Sequence, residues 1–169
     1  EMMIRDGVLD GPKVNKTLSL HLWNEKPLGW VNVARGPVMA GAEQFTIKLT
    51  GKGGHGAAPH TTIDPVVAAT QIVIVLQTIA ARNVAPLQAA VISVTTIHSG
   101  SAFNIIPQEA ELTGTIRTFD LSVRKMVLER FDQIVRGIAE TMQCKVEINV
   151  QRVTPVVLND DSIAASVQA

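Results

Sequence analysis

The chain has 169 residues, 46% hydrophobic and 18% charged, with fifteen Lys/Arg against fifteen Asp/Glu. That length holds one compact domain, or one domain with pieces of another, and zero net charge gives no electrostatic argument for a nucleic-acid or membrane-surface partner. The single cysteine, Cys144, excludes an internal disulfide framework, and no signal peptide or uninterrupted apolar run of spanning length is present, so a soluble, cytoplasmic globular protein is expected. The chain stops in an amphipathic stretch, which suggests a fragment of something longer.

Residues 1–8 read as the end of a helix closed by Gly7 as a left-handed cap, and Asp10-Gly11-Pro12 as a turn. Thr17 to Trp23 alternates Leu18, Leu20 and Leu22 with Thr17, Ser19, His21 and Trp23, which predicts a strand. Trp30-Val31-Asn32-Val33 predicts another short strand, and Gly36-Pro37 a linker. This leading segment has few partners with which to build a core and reads as one edge of a larger domain.

From Glu43 the pattern becomes regular. Phe45, Ile47 and Leu49 alternate with Thr46, Lys48 and Thr50, giving a strand with one buried face. Gly51-Lys52-Gly53-Gly54-His55-Gly56-Ala57-Ala58-Pro59-His60 follows, too rich in glycine for a helix or strand interior. Asp64-Pro65 starts a helix with Asp64 as N-cap; Val67, Gln71, Val75 and Ile79 define one side, and Ile72, Leu76 and Ala80 widen the apolar face. A second strand places Ala90, Ile92 and Val94 on one face. After the loop from Ser99 to Pro107, a third strand places Ala110, Leu112, Gly114 and Ile116 on one face. Ser122 is the expected cap of a second helix with buried Val123, Val127, Phe131, Ile134 and Ile138. Val146, Ile148 and Val150 mark a fourth strand, and Asp160-Asp161-Ser162 the start of another helix.

From Glu43 to Val153 the order is β-α-β-β-α-β. This predicts an α+β, ferredoxin-like domain: a four-stranded antiparallel sheet with both helices on one face. The other face carries Thr46, Thr50, Ser93, Thr95, Thr113 and Thr115, small hydroxyl residues that suit close approach by another surface, a dimer mate included, and that also occur on ordinary strands.

Four residues are candidates for chemistry. His55 sits on a glycine loop between strand and helix, where it either donates to an oxyanion, acts as a general acid, or merely caps a tight turn. His21 is either a structural histidine or one metal ligand, since zinc sites take three or four and no HxH, HExxH or CxxC partner exists. Asn104 either binds a polar ligand or makes a turn. Arg117 either grips a substrate carboxylate with its planar fork or pairs with Glu111. Cys144 precedes an apolar strand and reads as packing. The Gly51–Gly56 run lacks the Gly-Lys-Ser/Thr ending of a phosphate loop.

Several runs occur together in one order: Asp6-Gly7-Val8-Leu9, Leu20-His21-Leu22, Gly36-Pro37-Val38-Met39-Ala40, Gly51 to His60 with Asp64-Pro65, Gly100-Ser101-Ala102-Phe103-Asn104-Ile105-Ile106-Pro107, and Gly114 to Phe119. With these motifs the chain resembles the co-catalytic zinc aminoacylase/carboxypeptidase family, within it the amidohydrolase branch of hippurate, N-acyl-amino-acid and indole-acetyl-amino-acid hydrolases. The resemblance implies a two-domain enzyme that cleaves N-acyl-amino acids to a carboxylic acid and an amino acid with two divalent ions (Zn, Mn or Co). It implies a lid or dimerisation domain at residues 39–154, flanked by stubs of an α/β metal-binding catalytic domain at residues 1–38 and 155–169, and a homodimer formed through the lid.

By the same resemblance His21 matches a metal ligand, His55 the lid histidine that reaches the partner subunit's active site, and Asn104 and Arg117 the positions that hold substrate. The other ligands and the general base find no match, so the chain alone is expected to be inactive; Asn24 stands where many relatives have Pro. A non-catalytic dimerisation module and a stand-alone ferredoxin-like domain that binds a small carboxylate are the competing readings.

Overall fold

The computed structural model describes residues 2–11 and 13–168, which fall into two compact units, one ending at Asn32 and one beginning at Val33. Glu1, the turn residue Pro12 and Ala169 lie outside the described residues.

In the leading unit, α1 (Met2–Arg5) ends as its sequence dictates. Gly7 has φ +79°, and Gly7 N–H to Ile4 O (3.1 Å) with Val8 N–H to Met3 O (3.1 Å) forms a Schellman closure. The two strands expected at 17–23 and 30–33 do not form: residues 14–33 contain no ladder, and Leu18, Leu20 and Leu22 are all exposed. Alternation marks a strand only where a neighbour supplies the other half of the backbone pairing, and among the described residues none pairs here.

The second unit is the expected α+β domain. Its elements are β1 (Gly36–Met39), β2 (Gly41–Thr50), β3 (Gly54–His55), α2 (Pro65–Thr78), β4 (Ala90–Ser99), β5 (Ile105–Ile106), β6 (Glu109–Thr118), α3 (Leu121–Thr141), β7 (Lys145–Thr154), β8 (Val157–Asn159) and α4 (Asp161–Gln168). The main sheet runs β4-β6-β2-β7, antiparallel throughout, with α2 and α3 over its buried face. β1 pairs with β8, closing a small ribbon where the chain enters and leaves this fold.

The core follows the alternation of the two central strands. Phe45, Ile47 and Leu49 of β2 and Ala110, Leu112 and Ile116 of β6 are buried against Ile72, Leu76, Val127, Phe131 and Val135. Phe45 and Phe131 meet at 4.8 Å between ring centroids, tilted by 53°. Opposite Phe45 stands Gly114, where an added Cβ would collide with the Phe45 ring and the Ser93 carbonyl, so glycine is required there by close approach.

Three details depart from the sequence expectations. In α2 the buried residues are Pro65, Ala68, Ala69, Ile72 and Leu76, while Val67 and Gln71 of the expected stripe are exposed. Apolar residues occur all round this helix, so periodicity does not select the buried side. The segment Pro65–Asn83 is also long and apolar enough to span a membrane by length and composition; here it is a core helix laid on the sheet, ending in a π turn at Ile79–Asn83.

In α3 the cap is Asp120 rather than Ser122: its carboxylate accepts from Ser122 N (2.7 Å), Val123 N (3.0 Å) and Ser122 Oγ (2.5 Å). Those bonds, the Ser122 hydroxyl foremost, hold the Asp120 carboxyl below its ordinary range. Finally, Glu43 on β2 is buried and ion-paired with Arg124 of α3, a tie between sheet and helix that no motif signals.

Candidate functional site

The glycine loop is built by contact rather than by unusual dihedrals. None of Gly51, Gly53, Gly54 or Gly56 has positive φ, although that freedom is one reason to expect glycine in such a loop. Instead a Cβ at Gly51 would strike the Ile63 carbonyl, at Gly53 it would lie 2.9 Å from Ile106 O, and at Gly54 2.7 Å from Thr62 Cγ2. The run is therefore glycine because two other strands of chain press on it. Lys52 N–H to Ile63 O (2.9 Å) and Gly51 N–H to Gln108 O (2.8 Å) hold the base.

Above that base, β3 pairs with β5 in the register Gly54↔Ile106 and His55↔Ile105, and Gly56 N–H donates to Asn104 O at 2.8 Å. This two-residue ribbon joins the His55 loop to the Asn104 loop, which are far apart in sequence. The His55 ring is exposed, and Ala57 N–H donates to its Nδ1 at 3.0 Å. With that lone pair occupied, the neutral imidazole carries its proton on Nε2, where it can be donated to an oxygen. Asn104 is exposed; its backbone makes the turn, while its side-chain amide has no hydrogen-bond partner among the described residues.

Arg117 is not part of this cluster. It lies near the end of β6 opposite Ala42 and Val91, whereas the His55 loop adjoins the other end at Gln108, roughly 30 Å away along the strand. It points onto the open face of the sheet, into a shallow depression shared with Gln44, Thr95, Thr113 and Thr115. The alternative pairing with Glu111 is not made: Glu111 is 3.8 Å from Lys48 Nζ, and Arg117 has no acidic partner among the described residues. The depression owes its shape partly to a bulge in β4, where Thr95 is the extra residue between Val94↔Gly114 and Thr96↔Thr113. The open face is otherwise the expected polar surface, with Thr96 Oγ1 and Thr113 Oγ1 at 2.6 Å and Thr115 Oγ1 donating to Glu43 O at 3.0 Å.

His21 stands in the leading unit, exposed, with its Nδ1 2.7 Å from Leu22 O and its ring 5.5 Å from that of Trp23. Donation from Nδ1 leaves the Nε2 lone pair available, the tautomer a metal ligand needs. Among the described residues no three His, Cys, Asp or Glu side chains converge, so this donor set does not by itself make a metal centre. Cys144 is buried, and that burial, with the nearby Asp64 carboxylate, pushes its thiol pKa up, which keeps it protonated and inert.

Comparison with known proteins accounts for the fold. Residues 40–143 match the peptidase dimerisation domain family. The chain is 44% identical over 140 residues to an N-acyl-L-amino acid amidohydrolase of Geobacillus stearothermophilus, covering 83% of this chain and 37% of that protein. It is 37% identical over 166 residues to an N-acetyl-L-cysteine deacetylase of Bacillus subtilis, covering 98% of this chain and 39% of that one. Among solved structures, a dinuclear metal-binding peptidase of the M20 family from Bacillus subtilis superposes with TM-score 0.69 at 30% identity, over 98% of this chain and 42% of the other. The chain thus spans about two fifths of the length of the relatives it matches. By its match to the dimerisation domain and by the superposition of its fold, this chain belongs to the M20 peptidase family as a bearer of that domain.

Proposed function

We propose that this chain is the lid-bearing part of a metal-dependent amidohydrolase that cleaves N-acyl-amino acids to a carboxylic acid and an amino acid. The observation that carries this reading is His55: a rigid, glycine-clamped loop presents its Nε2–H outward, with Nδ1 held by Ala57 N–H. A donor fixed in this way stabilises negative charge developing on an amide oxygen without having to reorganise. Asn104, whose backbone is bonded to the His55 loop, adds a free amide, and Arg117 offers an unpaired guanidinium to the substrate carboxylate. His21 would provide one ligand of a divalent-metal site completed by the rest of the protein, a site whose chemistry would be activation of a water. Residues 39–154 form the lid, with residues 1–38 and 155–169 as the two arms of the catalytic domain.

The placement of the His55 loop and Arg117 at opposite ends of β6 supports a homodimer in which the two residues serve different sites. β4 is an edge strand with no Lys, Arg, Asp or Glu, whereas the other edge, β7, carries Lys145, Glu147 and Arg152. Uncharged edges are the ones that pair with a copy of themselves. Antiparallel pairing of β4 with its copy exchanges the two ends of the sheet, bringing the His55 end of one subunit toward the Arg117 end of the other.

The test is steady-state kinetics of the full-length, metal-loaded protein on N-acetyl-amino acids. His55→Ala should lower kcat by about 100-fold or more, and Arg117→Ala should act mainly on KM. Unchanged turnover in His55→Ala would sink the assignment.

A further inference from the structure

Two large apolar side chains flank the His55 site in full view of solvent. Phe103 is 104% exposed and Ile105 57%, on either side of Asn104. They are not on a loose segment. Asn104 O is bonded to Gly56 N–H at 2.8 Å, Ile105 is in register with His55, and Gly56 lies so close that a Cβ there would be 3.1 Å from Asn104 O. Directly opposed residues in an antiparallel pair share one face, with Cβ atoms about 4.5–5.5 Å apart. The Ile105 side chain therefore stands beside the His55 imidazole. Two rigidly held apolar groups next to a donor that faces outward are groups waiting for an apolar partner, since burying such a side chain gains roughly 1.5–3 kcal/mol.

We infer that Ile105, backed by Phe103, is the apolar wall that receives the hydrocarbon part of the substrate's acyl group and so sets acyl selectivity. The inference rests on the proposed role of His55. If Nε2–H engages the amide oxygen, the acyl substituent is one bond from the carbon bearing that oxygen and falls within reach of the neighbouring Ile105. The carboxylate end is drawn toward a cation, and neither Ile105 nor Phe103 offers one. The class of substrate favoured is an N-acyl-amino acid with a bulky aromatic or aliphatic acyl group.

The experiment uses the full-length enzyme and the N-acetyl and N-benzoyl derivatives of one amino acid, comparing the ratio of kcat/KM for benzoyl over acetyl. Ile105→Ser and Phe103→Ser should each lower that ratio, Ile105→Ser by about 10-fold or more, while Ile105→Met should hold it near the parent value. Both side chains are exposed, so melting curves should overlay and folding will not confound the result. A ratio that does not move in Ile105→Ser, or a loss that follows the amino-acid side chain rather than the acyl group, overturns the inference. So does a change in subunit association with no acyl dependence, since the wall would then be a docking surface. Failure of the underlying reading looks different: the parent enzyme would cleave neither derivative, or His55→Ala would cleave both at the parent rate.

Discussion

The two histidines singled out by the sequence are held in opposite ways. His55 accepts at Nδ1 from the Ala57 amide and keeps its proton on Nε2; His21 donates from Nδ1 to the Leu22 carbonyl and keeps an open lone pair on Nε2. One ring is set up to donate to an oxygen and the other to bind a metal. The difference lies in what surrounds them. The His55 loop is pressed from two sides by Ile63, Thr62 and Ile106 and paired to β5, whereas His21 depends on its own neighbours within a segment of exposed leucines and no ladder. A long-range frame fixes the first site; local bonds alone hold the second.

That contrast can be broken from the His55 side first. Gly114→Val drives a side chain into Phe45 and the Ser93 carbonyl at the centre of the sheet. Destabilisation of about 3 kcal/mol or more is expected by chemical denaturation, with loss of the His55 tautomer signature in nitrogen NMR while that of His21 persists. Glu43→Ala comes next. It leaves Arg124, still largely covered, without its carboxylate, and should cost about 2 kcal/mol, read as a lowered denaturation midpoint with unchanged slope.

Gly56→Ala sharpens the comparison locally. Its Cβ must push Asn104 O from 3.1 Å, so faster hydrogen exchange at Gly56 and a loss of about 1 kcal/mol or less are expected, with the sheet unaffected.

Acid acts on the α3 cap. Because the Asp120 carboxyl titrates below its ordinary value in the folded chain, its contribution is complete above the unfolded value of about 3.9 and is lost as pH falls through the folded one. Melting temperature should therefore drop more between pH 7 and strong acid in the parent than in Asp120→Asn, which keeps an acceptor but does not titrate. The smallest effect belongs to His21→Ala: under about 0.5 kcal/mol, with the sheet domain's melting curve unmoved. A larger shift would mean that the leading segment is tied to the domain.

What could be read from the sequence follows from the range of the forces involved. The alternation in β2 and β6, the Asp64 cap (Val66 N to Oδ1, 2.8 Å) and the Gly7 closure depend on residues next to one another, and the order β-α-β-β-α-β leaves few ways to pack one-faced strands with two helices. The buried side of α2 was not legible, because Val66, Val67 and Ile74 are as apolar as the residues it buries. At the start of α3 the sequence pointed to Ser122, whereas the folded chain is capped by the Asp120 carboxylate, a choice made by local geometry.

By itself, then, the sequence determined the fold class and named His55, Asn104, Arg117 and His21, since local chemistry and hydrophobic period are written residue by residue. Only the tertiary structure decided which of them meet. Strand register joins the loops of His55 and Asn104 through two residue pairs, and the length of one ten-residue strand carries Arg117 to the far end of the sheet. Register and strand length are set by long-range pairing, and that pairing is invisible until the chain has folded back on itself.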